Sequence, residues 1–176
     1  MSFDLPRTLE VLSRTPGVLE SLLDGLSEGW LDASEGPDTF SPRDVVGHLI
    51  HGEDTDWVPR IRLILERGEE QPFTPFDRFG FRDAIRGRSI DDLLGELRNL
   101  RDDNLDYVRG LSLTATDFDR RGRHPALGPV SLGQLFAAWL VHDLGHIRQI
   151  VRVLAHQYDE AVGPWKEYLS ILEKKR

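Results

Sequence analysis

The sequence predicts an all-α protein, a four-helix bundle, on the strength of two observations. Four long segments place apolar residues at the three- and four-residue spacing of amphipathic helices, and runs of alternating β-branched residues, which are typical of strands, are scarce. The four segments lie near residues 4–27, 41–67, 89–110 and 131–156. Two of the connections between them are fairly long, which allows one pair of sequence neighbours to run parallel.

Local signals support each helical segment in turn. Pro16 lies inside the first segment and removes a backbone donor there, so we expect a bend or a restart of the helix at Thr15. The other three segments each begin at a serine suited to an N-cap, namely Ser41, Ser89 and Ser131. Each serine is followed three residues later by Asp or Gln, which can complete a capping box.

The segments between the helices are rich in turn-forming residues and span 34–40, 67–83 and 112–129. Four aromatic residues lie in the stretch 71–81, which can fold over the mouth of the bundle, form a subunit contact or pack as an ordinary loop. The basic run 120–124 is interpreted as a solvated loop, with binding of a small anion as the alternative. A shorter helix is expected after Pro164.

Composition limits the classes of protein that the chain can belong to. Its 176 residues are enough for one domain, which we take as residues 1–176. The net charge of −8 argues against a nucleic-acid partner, since binding to phosphate requires a basic field. No apolar run is long enough to cross a membrane, and the N-terminus does not have the pattern of a signal peptide, so we expect a cytoplasmic protein. There is no Cys, so any metal must be held by His, Asp or Glu.

Two histidines lie four residues apart in the last predicted helix. His142 and His146 fall on the same face as its apolar residues, so both imidazoles point into the bundle. Residues at this spacing have Cβ atoms about 6 Å apart, and both rings can therefore reach one divalent ion through bonds of about 2.0–2.1 Å. The alternative is a pair of hydrogen-bonded histidines that pack in the core without a metal.

A third ligand has to come from another helix, and the second helix offers two histidines. His48 lies on the flank of the buried face, with Gly52 one turn later leaving space beside it, whereas His51 points toward solvent. His48 is therefore the better candidate. His124 lies in a loop and His156 at a helix end, and both are interpreted as neutral or structural positions.

Two stretches of the sequence resemble the DinB-like superfamily of damage-inducible proteins. They are FSPRDVVGHLIHGEDTDW in the second helix and HDLGHIRQI in the fourth, and the similarity extends from about residue 15 to about residue 158. The resemblance implies a four-helix bundle with a crossover connection, often assembled as a homodimer. The superfamily shares the DinB name with an unrelated DNA polymerase, and nothing in the sequence indicates polymerase chemistry.

The resemblance also implies a metal site. Members of the superfamily typically bind a divalent metal, commonly zinc or nickel, through one His of the second helix and an HxxxH pair of the last. In this chain the corresponding ligands are His48, His142 and His146. Three imidazoles leave coordination positions open, which is typical of a catalytic site rather than a closed structural one.

The expected function is that of a metal-dependent enzyme acting on a small molecule. The ion can activate water for hydrolysis, or it can hold an external thiol as thiolate. The second route is the one that some relatives use as transferases of a low-molecular-weight thiol such as bacillithiol or mycothiol. The alternative is a non-catalytic, metal-binding or stress-related bundle dimer in which the histidines stabilise the core or hold a structural ion.

Two carboxylates near the proposed site have two interpretations each. Glu53 and Asp143 can orient a ligand histidine or accept a proton from bound water. Alternatively, Glu53 pairs with an Arg across the bundle and Asp143 lies at its rim. Trp57 and Trp139 are interpreted as core residues because they share helical spacing with Leu and Ile.

Overall fold

Helices make up most of residues 3–173, the part of the chain that the computed structural model describes. The elements are α1 (Leu5–Leu12), α2 (Thr15–Leu23), α3 (Glu28–Leu31), α4 (Pro42–Thr55), α5 (Trp57–Arg67), α6 (Ile90–Gly110), β1 (Arg121–His124), β2 (Gly128–Ser131) and α7 (Leu132–His156). Short 3-10 turns cover Asp117–Asp119, Gly163–Tyr168 and Ser170–Leu172. The bundle consists of α1–α2, α4–α5, α6 and α7, as the sequence predicts.

The predicted helix starts are confirmed by their caps. Ser41 and Ser131 both form complete capping boxes, with Asp44 and Gln134 as the reciprocal partners. The Ser89 side chain accepts from the backbone N–H of Asp92 at the start of α6. Because these caps satisfy backbone donors that the helix itself leaves free, they fix where each helix begins.

Proline divides two of the four bundle helices. The predicted restart at Thr15 is confirmed, since α1 ends at Leu12 and α2 begins at Thr15. The prediction of one continuous helix over 41–67 is wrong at Asp56, which separates α4 from α5. Pro59 accounts for the break, because it has no N–H for the carbonyl of Thr55 and its ring crowds that carbonyl. The helical pattern resumes at once, with the N–H of Arg60 donating to the carbonyl of Asp56 at 3.1 Å.

Helices α4 and α6 run in the same direction. Arg43, at the start of α4, donates to the carbonyl of Arg88 just before α6, at 3.0 Å. Glu53, near the end of α4, contacts Arg101 in the middle of α6 at 2.7 Å. The intervening residues 68–89 therefore return along the bundle, and they form the expected crossover connection.

The loop after α6, which the sequence predicts only to be rich in turns, contains a β-hairpin. Strands β1 and β2 pair antiparallel, with Arg121 opposite Ser131 and His124 opposite Gly128. The backbone N–H of Phe73 donates to the carbonyl of Arg123 at 2.9 Å, which joins the start of the crossover to the hairpin. The strands have four residues each, too short for an alternating pattern to stand out. The helix expected after Pro164 is a 3-10 helix.

Polar residues divide the core into two apolar clusters. The first cluster contains residues of α2, the middle of α4, the start of α6 and the crossover, and the second contains residues of α5, the end of α6 and the first half of α7. Three buried polar residues separate the two clusters. They are Glu53 on α4, Arg101 on α6 and Asp143 on α7, and along each of α4–α5, α6 and α7 the polar residue lies between apolar residues of the first cluster and apolar residues of the second. In the described part of the chain, no helix combines the length and the apolar character needed to cross a membrane.

Candidate metal centre

The three predicted histidines converge on one point. The Nε2 atom of His142 lies 3.3 Å from Nε2 of His48 and 3.1 Å from Nε2 of His146. Each ring offers a ligand atom within 4.8 Å of the other two. His48 reaches this point from α4, where it is buried, and the other two reach it from adjacent turns of α7.

The separations between the nitrogens fit a shared ion. Two imidazole nitrogens bound to one tetrahedral ion at about 2.0–2.1 Å are themselves about 3.4 Å apart, close to the separations from His142. The second nitrogens of the outer rings face acceptors: Nδ1 of His48 lies 3.3 Å from the carbonyl of Arg78, and Nδ1 of His146 lies 2.9 Å from Oε1 of Gln149. Acceptors at Nδ1 favour the tautomer that leaves the Nε2 lone pair free. The three-histidine site therefore suggests a divalent metal ion.

The environment keeps two of the rings neutral. Burial, reinforced by the nearby His142, lowers the pKa of His48 to about 4. Burial and the two neighbouring imidazoles lower the pKa of His146 to about 3. Both rings are therefore unprotonated at neutral pH, which is the form that binds metals.

The other histidines lie outside the cluster. His156 ends α7, as expected. His51 is half-buried and packs beside Phe76, with ring centroids 5.0 Å apart, so the expectation that it points toward solvent is met only in part. His124 lies at the end of β1 and not in a loop, and it has the structural role that was one of its two interpretations, because its Nδ1 accepts from the backbone N–H groups of Ala126 and Leu127 at 3.1 and 3.2 Å. It also lines the pocket onto which the three histidines open, which was not predicted.

A buried ion network adjoins the histidines, and its central residue, Arg101, was not predicted from the sequence. Arg101 donates to Glu53 and Asp143 and to the carbonyl of Leu12, each at 2.7 Å. Burial opposes its charge, but the two carboxylates outweigh that effect and raise the pKa of Arg101. The signal that could have revealed it is spacing, since Arg101 occupies a position on the apolar stripe of α6 formed by Leu94, Leu97, Leu105 and Val108.

Glu53 belongs to this network and not to the histidine cluster. Its carboxylate accepts from Arg101 at 2.7 Å, from Nε1 of Trp139 at 3.0 Å and from Nδ2 of Asn104 at 3.0 Å. The contact between Glu53 and Arg101 is the ion pair across the bundle that was one of the two interpretations of Glu53 from the sequence. Trp139 and Trp57 are both buried and stack with ring centroids 5.6 Å apart, as expected of core residues. Trp57 also lines the pocket at the histidines, with its ring centroid 5.2 Å from that of His142.

Asp143 lies between the network and the histidines. It is fully buried, so the suggestion that it lies at the rim of the bundle is wrong. One carboxylate oxygen accepts from Arg101, and the other lies 3.9 Å from Nδ1 of His142. Within the described chain, that oxygen and that nitrogen are both buried without a hydrogen-bond partner. Burial disfavours the ionised carboxylate, but the adjacent His142 and Arg101 outweigh it and lower the pKa of Asp143.

The three histidines open onto a pocket of about 620 Å³. One wall is a stripe of α4 and α5 that runs from His48 to Arg60. The opposite walls come from the crossover, with Phe76 and Arg78, and from the hairpin turn. The ring of Phe76 meets that of His48 edge-on at 5.4 Å, so the aromatic stretch 71–81 folds over the mouth of the bundle. The volume lies within the range of small-molecule sites.

A crossover bundle with three converging histidines defines a particular class of helical protein. The sequence profile of the DinB superfamily matches residues 12–150, and the chain therefore belongs to the DinB superfamily. Its fold is similar to that of YfiT from Bacillus subtilis, described as a probable metal-dependent hydrolase with an unusual four-helix bundle topology. The TM-score is 0.73 at 22% identity, over 86% of each chain. No curated protein sequence matches this chain.

Proposed function

We propose that this protein is a divalent-metal-dependent enzyme that acts on a small molecule, with His48, His142 and His146 as the metal ligands. The observation that carries the proposal is the meeting of three imidazole nitrogens at the wall of a 620 Å³ pocket. A site built only to hold the helices together has no need of such a pocket.

The resemblance to the superfamily favours zinc or nickel as the ion. When bound, such an ion supplies Lewis acidity, which makes a water or a thiol at its open positions a stronger nucleophile. The protein's own residues prepare the pocket. The Arg78 carbonyl and Gln149 hold two rings by their Nδ1 atoms, and Phe76 covers His48 and limits the access of bulk water.

Asp143 is suited to orient the third ring. A rotation that closes the 3.9 Å separation would let Nδ1 of His142 donate to the free carboxylate oxygen, and this one contact would satisfy two buried atoms that lack partners. Arg101 holds the carboxylate from its other side. A carboxylate behind a ligand histidine fixes the tautomer and makes the ring a better donor.

Two forms of the reaction follow from the proposed centre. Hydrolysis is supported by the fold likeness to YfiT, which is described as a probable metal-dependent hydrolase. Transfer of a low-molecular-weight thiol is compatible with the absence of Cys, because the sulfur would arrive with the co-substrate. Assays of metal-loaded protein with activated esters and amides, and separately with thiols plus an alkylating electrophile, distinguish the two.

The metal content of the purified protein tests the proposal. We expect close to one divalent ion per chain by elemental analysis, and loss of that ion in His142→Ala and His146→Ala. His156→Ala is the matched control, since His156 lies on the same helix and outside the cluster. Equal metal content in His142→Ala and wild type would refute the proposed centre.

The non-catalytic alternative predicts a different coordination. A structural ion would have its fourth position filled by Glu53 or Asp143, but both carboxylates are engaged with Arg101. Under that alternative, His48→Ala would lower the thermal stability while no turnover by the metal-loaded wild type could be measured. Turnover that disappears with the ion, in a variant that remains folded, would exclude it.

A further inference from the structure

Besides the three histidines, the pocket is lined by a largely buried arginine, Arg60. We propose that Arg60 binds an anionic group of the substrate, a carboxylate or a phosphate, so that the enzyme acts on anionic small molecules. This inference rests on the proposed function, because it assumes that the reacting part of the substrate lies at the histidines. The binding of the anion by Arg60 requires no metal.

The position of Arg60 follows from helical spacing. His48, Gly52, Asp56 and Arg60 succeed one another at four-residue intervals, and all four line the same pocket. Residues at this spacing share one face of a helix, and the single break at Asp56 does not rotate Arg60 away from that face. The stripe therefore leads from the histidines along the wall of the pocket to a guanidinium.

The guanidinium of Arg60 is held in place by two contacts. Nη2 lies 2.7 Å from Oδ1 of Asp56, and the group lies over the ring of Phe73 at 5.2 Å from its centroid. The side chains of Arg60 and Asp56 are only 12% and 10% exposed. A guanidinium has five donors in a planar fork that matches a carboxylate or phosphate edge. Over the described residues, Asp56 supplies the one ion pair of this guanidinium, so other donors remain for a ligand.

The charges around the pocket favour an anion. Arg60 and Arg78 line it together with one carboxylate, Asp56, in a chain whose net charge is −8. Arg78 lies on the crossover segment, where its guanidinium packs over the rings of Phe40 and Phe79 at 5.0 and 5.5 Å. A divalent ion at the histidines would add further positive charge. The pocket thus concentrates cations on an acidic protein, which attracts anionic ligands.

A purely structural role explains the Asp56–Arg60 pair less well. Burial raises the pKa of Asp56 and lowers the pKa of Arg60, so both groups carry a desolvation cost at this position. An i, i+4 pair that served only to support α5 would make the same contact on the solvent face of the helix without that cost.

Calorimetric titration of the zinc-loaded protein with benzoate and with inorganic phosphate tests the inference. We expect Arg60→Gln to weaken the binding of the preferred anion by about ten- to a hundredfold, the range for losing a charge-assisted hydrogen-bonded contact. Arg152→Gln is the matched control, because Arg152 forms a two-point ion pair with Glu35 outside this pocket, at 2.8 and 3.2 Å. The two probes distinguish carboxylate from phosphate recognition.

A second variant keeps the inference testable if Arg60→Gln fails to fold. Asp56→Asn keeps the guanidinium and removes the charge that competes with the ligand, so we expect equal or tighter anion binding. Weaker binding in Asp56→Asn, unchanged binding in Arg60→Gln, or no binding of either probe by wild type would overturn the inference.

The titration of His142→Ala separates this inference from the proposed metal centre. Anion binding that persists in His142→Ala and still requires Arg60 supports the inference even if no metal is found. Binding that is lost in His142→Ala but retained in Arg60→Gln would place the anion on the ion and would refute the role of Arg60.

Discussion

The guanidinium of Arg101 is completely buried and is shared between two carboxylates, Glu53 and Asp143. Removing such a charge from water is costly, and the cost is offset only when several good contacts replace hydration. The two 2.7 Å ion pairs and the Leu12 carbonyl supply those contacts. Because Asp143 also neighbours His142, the same side chain that stabilises the core supports the candidate metal centre.

Replacing Arg101 by Met should therefore destabilise the protein severely. Two buried carboxylates would lose their counter-ion, which typically costs about 3–5 kcal/mol in the free energy of unfolding. Urea denaturation measures this loss. Arg98→Met is the matched control one turn earlier on α6, where the exposed pair with Glu20 contributes less than about 1 kcal/mol. A similar loss in both variants would contradict the role assigned to Arg101.

Asp143→Asn tests the proposed orientation of His142. We expect the affinity for zinc to fall about 10- to 100-fold, the usual effect of removing the group behind a ligand histidine. Competition with a chromophoric chelator measures this affinity. Glu53→Gln disturbs the same Arg101 network without contacting the histidines, so its stability should fall while its zinc affinity stays near that of wild type. Equal losses of affinity in the two variants would show that Asp143 acts only through the fold.

The crossover can pack closely against α4, and so reach the pocket, because α4 has a glycine at the point of contact. A Cβ atom at Gly47 would lie 2.7 Å from Cγ2 of Ile85 and 2.8 Å from Cδ2 of Phe81, both on the crossover. The close approach sets these two side chains against α4 beside His48. The position of Phe76 and Arg78 over the pocket depends on this packing.

Gly47→Ala should accordingly push the crossover away from α4. We expect a loss of about 1–3 kcal/mol in the free energy of unfolding, as for overpacking of a core. Gly95→Ala is the control, because Gly95 is an exposed position within α6 with open space at its Cβ, and the change should stabilise the protein by about 0.5–1 kcal/mol. Paired thermal and urea melts compare the two. Stabilisation by Gly47→Ala would contradict this account of the packing.

The sequence predicted those elements whose signals are local. The serine caps fixed the starts of three helices, and Pro16 marked the restart of the first. Pro59 carries the same kind of signal, but the amphipathic pattern continues on both sides of it, so the break at Asp56 was not predicted. The HxxxH pair and His48 could be predicted because helical spacing alone decides which way a side chain faces.

Other features depend on contacts between distant parts of the chain. Spacing within α6 could place Arg101 on the buried face, but it does not identify the partners of its charge, because the two carboxylates lie 42 and 48 residues away. The placement of His124 and Arg60 in one pocket depends on how the hairpin packs against α5. The sequence therefore specified the histidines of the site, but not the surroundings that determine what they bind.

An ion at the histidines should stabilise the folded chain against unfolding. The complete ligand set exists only when α4 and α7 are packed together, so binding favours the native state. At an ion concentration 100 times Kd the gain is about 2.7 kcal/mol, or roughly 5–10 °C in Tm for a chain of this size. Calorimetry with zinc and with a chelator measures the difference. The Tm of His48→Ala should not change with zinc, because that variant lacks one of the three ligands. If the Tm of wild type did not change with zinc either, the proposed centre would be contradicted.

The homodimer that the resemblance implies stays a prediction, as does the cytoplasmic location. Sedimentation equilibrium at micromolar concentration should give twice the chain mass of 20.1 kDa. A single-chain mass across the accessible range of concentration would contradict it.

Arg101 projects from α6 and touches α1, α4 and α7, so one side chain joins all four helical arms of the bundle. Its partners cannot all be satisfied until the last arm has docked, and until then the guanidinium has to stay hydrated. We therefore predict that water leaves the middle of the bundle only in the final stage of folding. In kinetic terms, Arg101→Met should accelerate unfolding much more than it slows folding.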